Sequence, residues 1–321
     1  MEEVAGKSVM VTGGAGFIGS HLCDRILSME PRRLALVDDF SLGKRENIEV
    51  IESDERVRVY EQDASDYDGM RTILKRERAE VVFNLAVIPL PRSLVEPKTT
   101  VDTNVSIATT MCELLRRGLY RTLVHTSSSE AYGSAIYVPM DEKHPEQPLT
   151  PYAASKVAGD HIVTSYAQTF GLDVALVRPF NTYGPRQNGL SYAGVIPVTI
   201  RRILSGEPPV IFGDGLQTRD YIYVDDTVDG ILGVYGCERA RGKLINIARG
   251  KEIRIRDIIE KIAQIMGYRG RIIHEPARPG DVRRHRGDIR LAKRLFDFTP
   301  KVDFDEGLLR TVEWYRTRKG G

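Results

Sequence analysis

A tyrosine and a lysine, Tyr152 and Lys156, lie four residues apart and have the side chains needed for acid–base chemistry. Residues at this spacing share one face of a helix, so the two side chains project together. A lysine ammonium beside a phenol stabilises the phenolate, which makes Tyr152 a candidate general base near neutral pH. Ser128, earlier in the chain, is a candidate to hydrogen-bond the same substrate hydroxyl and relay its proton.

A glycine-rich turn near the N-terminus predicts a dinucleotide site. The segment Thr12–Gly19 (TGGAGFIG) follows a short apolar run and leads directly into a helical pattern. Gly13 permits a tight turn, Gly16 lets the backbone approach a pyrophosphate, and Gly19 allows close packing of helix against strand. Asp38 ends the next predicted strand, where a carboxylate binds ribose hydroxyls and repels a 2′-phosphate. The predicted cofactor is therefore NAD rather than NADP.

Further cofactor contacts are expected where neighbouring strands end, because parallel sheets bind ligands at their carboxyl edge. A positively charged nicotinamide ring at this edge would also favour the Tyr152 phenolate. The predicted cofactor residues are Gly13, Gly16, Phe17, Ile18, Gly19, Asp38, Asp39, Ser41, Asp63, Ala64, Leu85, Ala86, Asn104, Tyr152, Lys156 and Pro179.

The order of predicted elements places these residues along one sheet. Short apolar runs alternate with longer helical patterns, which is typical of a parallel sheet covered on both faces. The fold class is predicted to be α/β, a Rossmann-type doubly wound parallel sheet with a smaller C-terminal α/β substrate lobe. The predicted strands are Ser8–Thr12, Leu34–Asp38, Val57–Tyr60, Val81–Leu85, Thr122–Ser127 and Val174–Pro179, and the predicted helices are Ser20–Ser28, Asp68–Arg78, Asn104–Arg117 and Tyr152–Phe170.

A second lobe is expected after Gly184, where glycine and proline become frequent. We expect an NAD-binding domain at residues 1–180, with a return segment at about 217–247 that includes Tyr221–Val234. The substrate lobe is expected at 181–216 and 248–321, with an amphipathic helix at Ile253–Met266.

Composition indicates a globular protein whose net charge is too small to attract polyanions. The formal net charge is +2, from 46 basic and 44 acidic residues, so neither nucleic acid nor a membrane surface is the expected partner. A signal-peptide layout is missing, as is any run of about 18 apolar residues, so we expect a cytoplasmic enzyme. The three scattered cysteines indicate neither disulfides nor a zinc site, and no metal is expected.

Further motifs make the chain resemble the extended short-chain dehydrogenase/reductase family, in its nucleotide-sugar epimerase, dehydratase and decarboxylase branch. They are Arg178–Pro185 (RPFNTYGP), Gln217–Asp226 (QTRDYIYVDD) and Arg278–Asp281 (RPGD), and the resemblance covers nearly the whole chain. It implies a nucleotide-sugar substrate, with a UDP-sugar favoured, and arginines that bind diphosphate oxygens bidentately. The substrate residues implied by matching motif are Arg92, Ser128, Asn181, Arg219, Asn246, Arg278 and Asp281.

The family begins by oxidising carbon 4 of the sugar, with the residue matched by Tyr152 as base. Dehydratases and decarboxylases commonly carry a carboxylate at the position of Glu130, where it can remove the proton on carbon 5. Glu130 therefore favours loss of the 6-hydroxyl as water, by 4,6- or 5,6-dehydration. Many 4,6-dehydratases have Asp-Glu where this chain has Ser129-Glu130, so the proton donor to the leaving hydroxyl stays open and Ser129 is retained as a catalytic candidate.

Other interpretations stay open. A UDP-sugar 4-epimerase is the main alternative. A UDP-glucuronate decarboxylase is less favoured, because His285, within Arg283–Arg286, aligns with a key arginine of that class. A narrower resemblance is to the UDP-N-acetylglucosamine 5,6-dehydratases of tunicamycin (antibiotic) biosynthesis. A non-catalytic NAD sensor is a competing class, although such proteins commonly lose the tyrosine or lysine. Relatives pair through the two helices matching Asn104–Arg117 and Tyr152–Phe170, so a homodimer is expected.

Overall fold

In the computed structural model, which describes residues 3–188, 194–277 and 281–318, seven parallel strands form a central sheet. These strands are β1 (Ser8–Thr12), β2 (Arg33–Asp38), β3 (Val57–Glu61), β4 (Val81–Asn84), β5 (Thr122–Thr126), β6 (Asp173–Pro179) and β10 (Leu244–Ile247). Their order in the sheet is β10-β6-β5-β4-β1-β2-β3. The order reverses between β1 and β4, and such switch points form the ligand crevice of doubly wound sheets.

Helices cover both faces of this sheet because its strands are apolar on both sides. The helices α1 and α8 bury residues such as Leu22 and Ile231 on one face, while α3, α5 and α6 bury Leu74, Met111 and Val163 on the other. The helices of this part of the chain are α1 (Phe17–Leu27), α2 (Glu49–Glu52), α3 (Tyr67–Glu77), α4 (Leu90–Ser93), α5 (Pro97–Arg116), α6 (Pro151–Phe170), α8 (Val224–Gly236) and α10 (Arg290–Phe296).

Over the residues that the structure describes, the second lobe has two small sheets and three helices around its own core. One sheet has the order β11-β9-β7, and the other pairs β8 with β12 in parallel. Ile196, Ile258 and Leu308 are buried in this core, one from each helix. The elements are β7 (Asn181–Tyr183), β8 (Val210–Phe212), β9 (Thr218–Tyr223), β11 (Glu252–Arg254), β12 (Ile273–Glu275), α7 (Val195–Leu204), α9 (Ile255–Ile265) and α11 (Phe304–Thr317).

The α/β class with a doubly wound parallel sheet is confirmed, but several boundaries differ from the predictions. Helix α5 begins at Pro97, seven residues before the predicted Asn104, because proline is well tolerated in a first helical turn. The seventh strand, β10, was not predicted as a strand. The return to the central sheet begins with α8, since β9 pairs with β7 and β11 in the second lobe. Helix α10, expected in the second lobe, packs against α8 and β10.

No helix among the described residues is both long enough and apolar enough to cross a membrane.

Candidate active site

The glycine turn has the geometry of a phosphate-binding loop. Gly13 has a φ of +68°, which glycine adopts without strain. A Cβ on Gly19 would lie 2.0 Å from the carbonyl oxygen of Gly13, so only glycine allows helix α1 to approach the turn this closely. No side chain caps the first turn of α1, and that turn contains no acidic residue. Its amides and positive dipole end therefore suit a pyrophosphate.

Asp38 lies at the end of β2, beside this turn, with 7% of its surface exposed. Its two carboxylate oxygens accept hydrogen bonds from the amides of Ala15 and Phe40, both at 2.9 Å. Burial raises the pKa of Asp38, and these backbone hydrogen bonds oppose the rise. Each carboxylate oxygen can accept more than one hydrogen bond, so both remain able to accept from ribose hydroxyls.

Helix α6 carries the predicted catalytic pair in its first two turns. Thr150 caps the helix by accepting a hydrogen bond from the amide of Ala153 at 3.2 Å, and Pro151 occupies its first position. Lys156 is buried, and its Nζ donates to the carbonyl oxygen of Thr126 at 2.6 Å. Burial lowers the pKa of Lys156 to about 8, although its negatively charged neighbour Asp160 opposes the change.

Tyr152 and Ser128 come together as the sequence predicts. Burial raises the pKa of Tyr152 to about 12, and its hydrogen bond with the Ser128 side chain opposes the rise. Without a cofactor the phenol is therefore the resting form at neutral pH. A positive charge beside the phenol, such as a nicotinamide ring, is what the site needs to turn Tyr152 into a base.

Glu130 lies in a short 3-10 turn after β5, next to Ser128, whose Oγ accepts a hydrogen bond from the Glu130 amide at 3.2 Å. The charge of Glu130 contributes to the raised pKa of Tyr152. Burial raises the pKa of Glu130 itself, while the charge of Arg219 opposes this. Ser129 is 3% exposed, and a serine hydroxyl is a much weaker acid than the aspartic acid it replaces.

Arg219 and Asp281, predicted as separate substrate ligands, form an ion pair through Arg219 Nη2 and Asp281 Oδ1. Arg219 Nη1 donates to the carbonyl oxygen of Thr218 at 2.9 Å and to that of Val282. Gln217 Nε2 donates to the second oxygen of Asp281 at 3.2 Å. These contacts hold the guanidinium facing Glu130. A substrate diphosphate would compete with Asp281 for this arginine.

Asn181, at the start of β7, has a buried side-chain amide nitrogen without a hydrogen-bond partner among the described residues. A buried donor left unpaired is costly, so it is a good place for a ligand oxygen. This supports the predicted role of Asn181 in substrate binding.

Asn104 was predicted to contact the cofactor, but its amide is already engaged by the protein. Its Oδ1 accepts from the amide of Ile88 at 2.8 Å, and its Nδ2 donates to Ile88 O at 3.0 Å and to Ser155 Oγ at 2.9 Å. Both donor hydrogens are therefore used. Asn104 ties the segment after β4 to the catalytic helix and does not present a free donor to a cofactor.

Asn246 was predicted to line the nucleoside end of the substrate, and the structure corrects this as well. It is fully buried at the end of β10. Its Oδ1 accepts from the Tyr132 hydroxyl at 2.9 Å, and its Nδ2 donates to Met140 O at 3.1 Å. With no exposed surface, Asn246 cannot reach a substrate and instead stabilises the core of the first domain.

The remaining predicted residues are placed as follows. Arg92, on α4, is partly exposed and pairs with Glu96 at 3.3 Å. Arg278 lies outside the described residues. Around the cofactor crevice, Phe17 and Ile18 open α1, Asp39 and Ser41 follow β2, Asp63 and Ala64 follow β3, Leu85 and Ala86 follow β4, and Pro179 ends β6.

The basic run Arg283–Arg286 is not a free cationic surface. Arg283 pairs with Asp214 at 2.8 Å, and Arg284 pairs with Glu252 at 2.6 Å. His285 is fully buried against the ring of Phe180, with 5.4 Å between ring centroids. Burial lowers the pKa of His285 to about 3, so the imidazole is neutral.

Asp160, which sequence reasoning did not single out, completes the surroundings of Lys156. It follows Lys156 by four residues on α6 and is 4% exposed. The same spacing that identified Tyr152 and Lys156 places Asp160 one further turn along their face. This spacing is the signal that could have found it.

Comparison with known proteins identifies the family of this chain. The family described as GDP-mannose 4,6 dehydratase matches residues 10–311. The chain belongs to the extended short-chain dehydrogenase/reductase family of nucleotide-sugar epimerases and dehydratases. It is 36% identical to a UDP-glucose 4-epimerase of Mycolicibacterium smegmatis, over 96% of this chain and 98% of that protein.

Solved structures of both activities have the same fold. A UDP-glucose 4-epimerase of Thermotoga maritima with UDP-glucose has a TM-score of 0.90 at 33% identity, covering 96% of this chain and 98% of that one. A dTDP-glucose 4,6-dehydratase of Streptomyces venezuelae with NAD has a TM-score of 0.92 at 29% identity, covering 97% and 98%. The chain is therefore an NAD-dependent enzyme of this family.

Proposed function

We propose that this enzyme is a nucleotide-sugar dehydratase, which oxidises carbon 4 of the sugar and then eliminates water. The observation that carries the proposal is the position of Glu130, whose amide donates to Ser128 Oγ, the same side chain that is hydrogen-bonded to Tyr152. An epimerase needs no base over carbon 5, whereas an elimination requires one. The raised pKa of Glu130 lies closer to neutral pH, which makes its carboxylate a more effective base.

In this mechanism the side chains have distinct roles. Tyr152, beside Lys156, takes the proton of the 4-hydroxyl, and Ser128 orients that hydroxyl. Bound NAD accepts the hydride from carbon 4 and later returns it to the sugar. The glycine turn and Asp38 hold the cofactor. The ketone at carbon 4 acidifies the hydrogen on carbon 5, which Glu130 removes as a proton. Glu130 then passes this proton to the 6-hydroxyl, which leaves as water as the double bond between carbons 5 and 6 forms.

Asn181 and Arg219 are proposed to hold the diphosphate, together with Arg278. The nucleotide is proposed to be UDP, because an epimerase with UDP-glucose and a UDP-N-acetylglucosamine 4-epimerase with a bound UDP-sugar share this fold. UDP-N-acetylglucosamine is the first substrate to test. It is the substrate of the tunicamycin-type 5,6-dehydratases, and the proposal includes that reaction.

Epimerisation at carbon 4 is the second candidate, and a specific observation favours it. The position of the usual acid is occupied by the buried Ser129, a much weaker acid, so the leaving 6-hydroxyl has no separate carboxylic acid at that position. The similar UDP-glucose 4-epimerases support the same alternative. Decarboxylation is less favoured, because the neutral His285 lacks the charge with which an arginine would bind a sugar carboxylate.

One experiment separates these activities. The protein with NAD is incubated in heavy water with UDP-, GDP-, dTDP- and CDP-sugars, and products are identified by mass and proton spectra. Loss of water with deuterium at carbon 5 supports 4,6-dehydration, and loss of water to a 5,6-alkene without hydrogen on carbon 5 supports 5,6-dehydration. Inversion at carbon 4 without solvent label refutes dehydration in favour of epimerisation.

We also propose that the enzyme is a homodimer through α5 and α6, which pack side by side on one face of the sheet. Light scattering after size exclusion tests this, with a dimer mass expected. A monomer at micromolar concentration would refute it.

A further inference from the structure

Arg178 places a buried guanidinium behind the candidate active site. It precedes Pro179 at the carboxyl end of β6, and 1% of its surface is exposed. Its Nε donates to Ser127 Oγ at 3.2 Å, and its Nη2 donates to Asp160 Oδ2 at 2.7 Å. The same Nη2 donates to Glu146 Oε1 at 2.6 Å. A cation buried this completely needs such partners, and here they come from three other parts of the chain.

Two of the contacts of Arg178 lie at the two ends of one short segment, Ser127–Tyr132, which directly follows β5. Between these ends the segment carries three predicted catalytic residues, Ser128, Ser129 and Glu130. At its start, Ser127 Oγ accepts from Arg178 and also donates to Asp160. At its end, the guanidinium of Arg178 lies over the ring of Tyr132, 4.2 Å from the ring centroid. One side chain therefore holds the segment on both sides of its catalytic residues.

The same guanidinium joins this segment to the catalytic helix. Asp160 belongs to α6, which also carries Tyr152 and Lys156, and it is 4% exposed. Lys156 Nζ donates to the carbonyl oxygen of Thr126, the residue just before the segment, at 2.6 Å. The end of β5 is thus joined to α6 at two places, by Lys156 and by the ion pair of Asp160 with Arg178.

This place uses the shape of an arginine as well as its charge. A guanidinium has several N–H donors in fixed directions, so one group can bind a hydroxyl and two carboxylates while its face lies over a ring. A lysine ammonium keeps the charge but is a compact point donor without this fork. Replacing Arg178 by lysine therefore separates the geometry of the contacts from the buried charge.

We propose that Arg178 is a positioning residue, which holds the Ser127–Tyr132 segment against α6. Ser128 is thereby kept at the distance from Tyr152 that oxidation of the sugar needs. Arg178 acts through its contacts with the two ends of the segment, and a displacement of a reacting group by about 1 Å can cost about 100-fold in rate. The inference rests on the proposed oxidation at carbon 4, which dehydration and epimerisation share, so it stands even if the dehydration step is refuted.

Rapid mixing of NAD-loaded Arg178→Lys with a nucleotide-sugar that the protein turns over tests the proposal. NADH absorbance gives the rate of hydride transfer over a range of sugar concentrations. The rate at saturation is expected to fall about 100-fold, while the half-saturating sugar concentration and the affinity for NAD stay within about threefold. A rate at saturation within about threefold of that of the unmodified protein overturns the proposal. A change confined to the half-saturating concentration also overturns it, because such a change indicates substrate binding.

A second measurement needs no nucleotide-sugar, so it separates this inference from the proposed function. Hydrogen exchange is followed by mass spectrometry on peptides that cover the segment. The amides of Ala131 and Gly133 donate to the carbonyl oxygens of Ser128 and Glu130, both at 3.1 Å, and report on its order. In Arg178→Lys their exchange is expected to be at least about tenfold faster, while exchange in β1 and β2 stays unchanged. Unchanged exchange in the segment overturns the proposal.

Arg241→Lys is the matched control at the opposite end of the same strand. Arg241 Nε lies 2.7 Å from Oδ1 of Asp173, the first residue of β6, whereas ligands bind at the carboxyl edge of such a sheet. Hydride transfer and exchange in the segment are expected to equal those of the unmodified protein. A loss as large as that in Arg178→Lys would show that weakening any ion pair of β6 slows the reaction, and would overturn the proposal.

A further variant covers the case in which Arg178→Lys does not fold. Ser127→Ala removes the contact at the start of the segment and leaves every charge in place. Hydride transfer at saturation is expected to be about tenfold slower, because the contact of Arg178 with Tyr132 is kept, and the affinity for NAD should stay unchanged. If Arg178→Lys does not fold, a native rate in Ser127→Ala overturns the proposal.

Discussion

Replacing Glu130 by glutamine is expected to stop elimination while sparing oxidation. The hydrogen bond that fixes the turn uses the Glu130 amide and Ser128 Oγ, so the substitution leaves it intact. Loss of a general base costs roughly 10²–10⁴ in rate, or about 3–5 kcal/mol of transition-state free energy at ~1.4 kcal/mol per factor of ten. Because the charge of Glu130 raises the pKa of Tyr152, its removal makes the first proton easier to take.

The two half-reactions can be followed separately. Rapid mixing of the NAD-loaded protein with UDP-N-acetylglucosamine or UDP-glucose gives NADH absorbance for oxidation, and proton spectra in heavy water give exchange at carbon 5. In Glu130→Gln we expect NADH to accumulate while exchange and water loss fall at least 100-fold. The unmodified protein, measured in parallel, gives the reference rate for both steps.

The pH dependence follows from the same carboxylate. Burial raises the pKa of Glu130, and a base is lost as pH falls through its pKa. The acid limb of elimination is therefore expected above the ordinary titration range of glutamate and absent from the residual rate of Glu130→Gln. Elimination that proceeds within tenfold of the native rate in Glu130→Gln would refute the role of Glu130 as base.

Three further predictions concern the cofactor site and the buried lysine. Gly19→Ala places a Cβ 2.0 Å from the Gly13 carbonyl oxygen, so α1 must move. The affinity for NAD, measured by calorimetry, should fall at least tenfold because this overpacking costs about 1–3 kcal/mol. An unchanged affinity would contradict the prediction. Asp38→Asn should reduce the preference for NAD over NADP by about 10- to 100-fold in dissociation constants, as expected for losing charged hydrogen bonds, and an unaltered ratio would exclude Asp38 from ribose binding. The pKa of Lys156 is lowered to about 8 in the folded protein, so the unfolded chain binds more protons above that pH. The free energy of unfolding, compared with that of Lys156→Met, should therefore rise between about pH 8 and 10.5, by up to ~3 kcal/mol. Urea unfolding of both proteins without NAD measures this difference, and a difference that does not change with pH would contradict the prediction.

The features predicted best from sequence are those that the backbone alone determines. The turn at Gly13 requires a positive φ, and the packing at Gly19 excludes any side chain, so glycine spacing after an apolar strand carries this information. The Tyr152–Lys156 pair was equally accessible, because helical periodicity places both on one face. Asp38 followed from its position at a strand end.

Two predicted ligand contacts concern side chains that already have protein partners from distant parts of the chain. Asn104 and Asn246 have the polarity of ligand-binding residues, but their amides are used by Ile88, Ser155, Tyr132 and Met140. An asparagine that binds a ligand and one that makes hydrogen bonds within the core cannot be distinguished in the sequence. The packing of α10 on the first domain was missed for the same reason, since no local pattern says which lobe a short helix joins.

The chemistry of this site depends on the same long-range pairing. Burial raises the pKa of both Tyr152 and Glu130, and charged neighbours adjust each of them. The charge of Asp160, two turns further along α6, raises the pKa of Tyr152 further, whereas the charges of Arg219 and Asp281 act on the pKa of Glu130 in opposite directions. In the proposed dehydration, a substrate diphosphate drawn to Arg219 would cancel the charge that opposes protonation of Glu130, so substrate binding would itself raise the basicity of Glu130. Under that proposal the second lobe would adjust a base that the first lobe supplies.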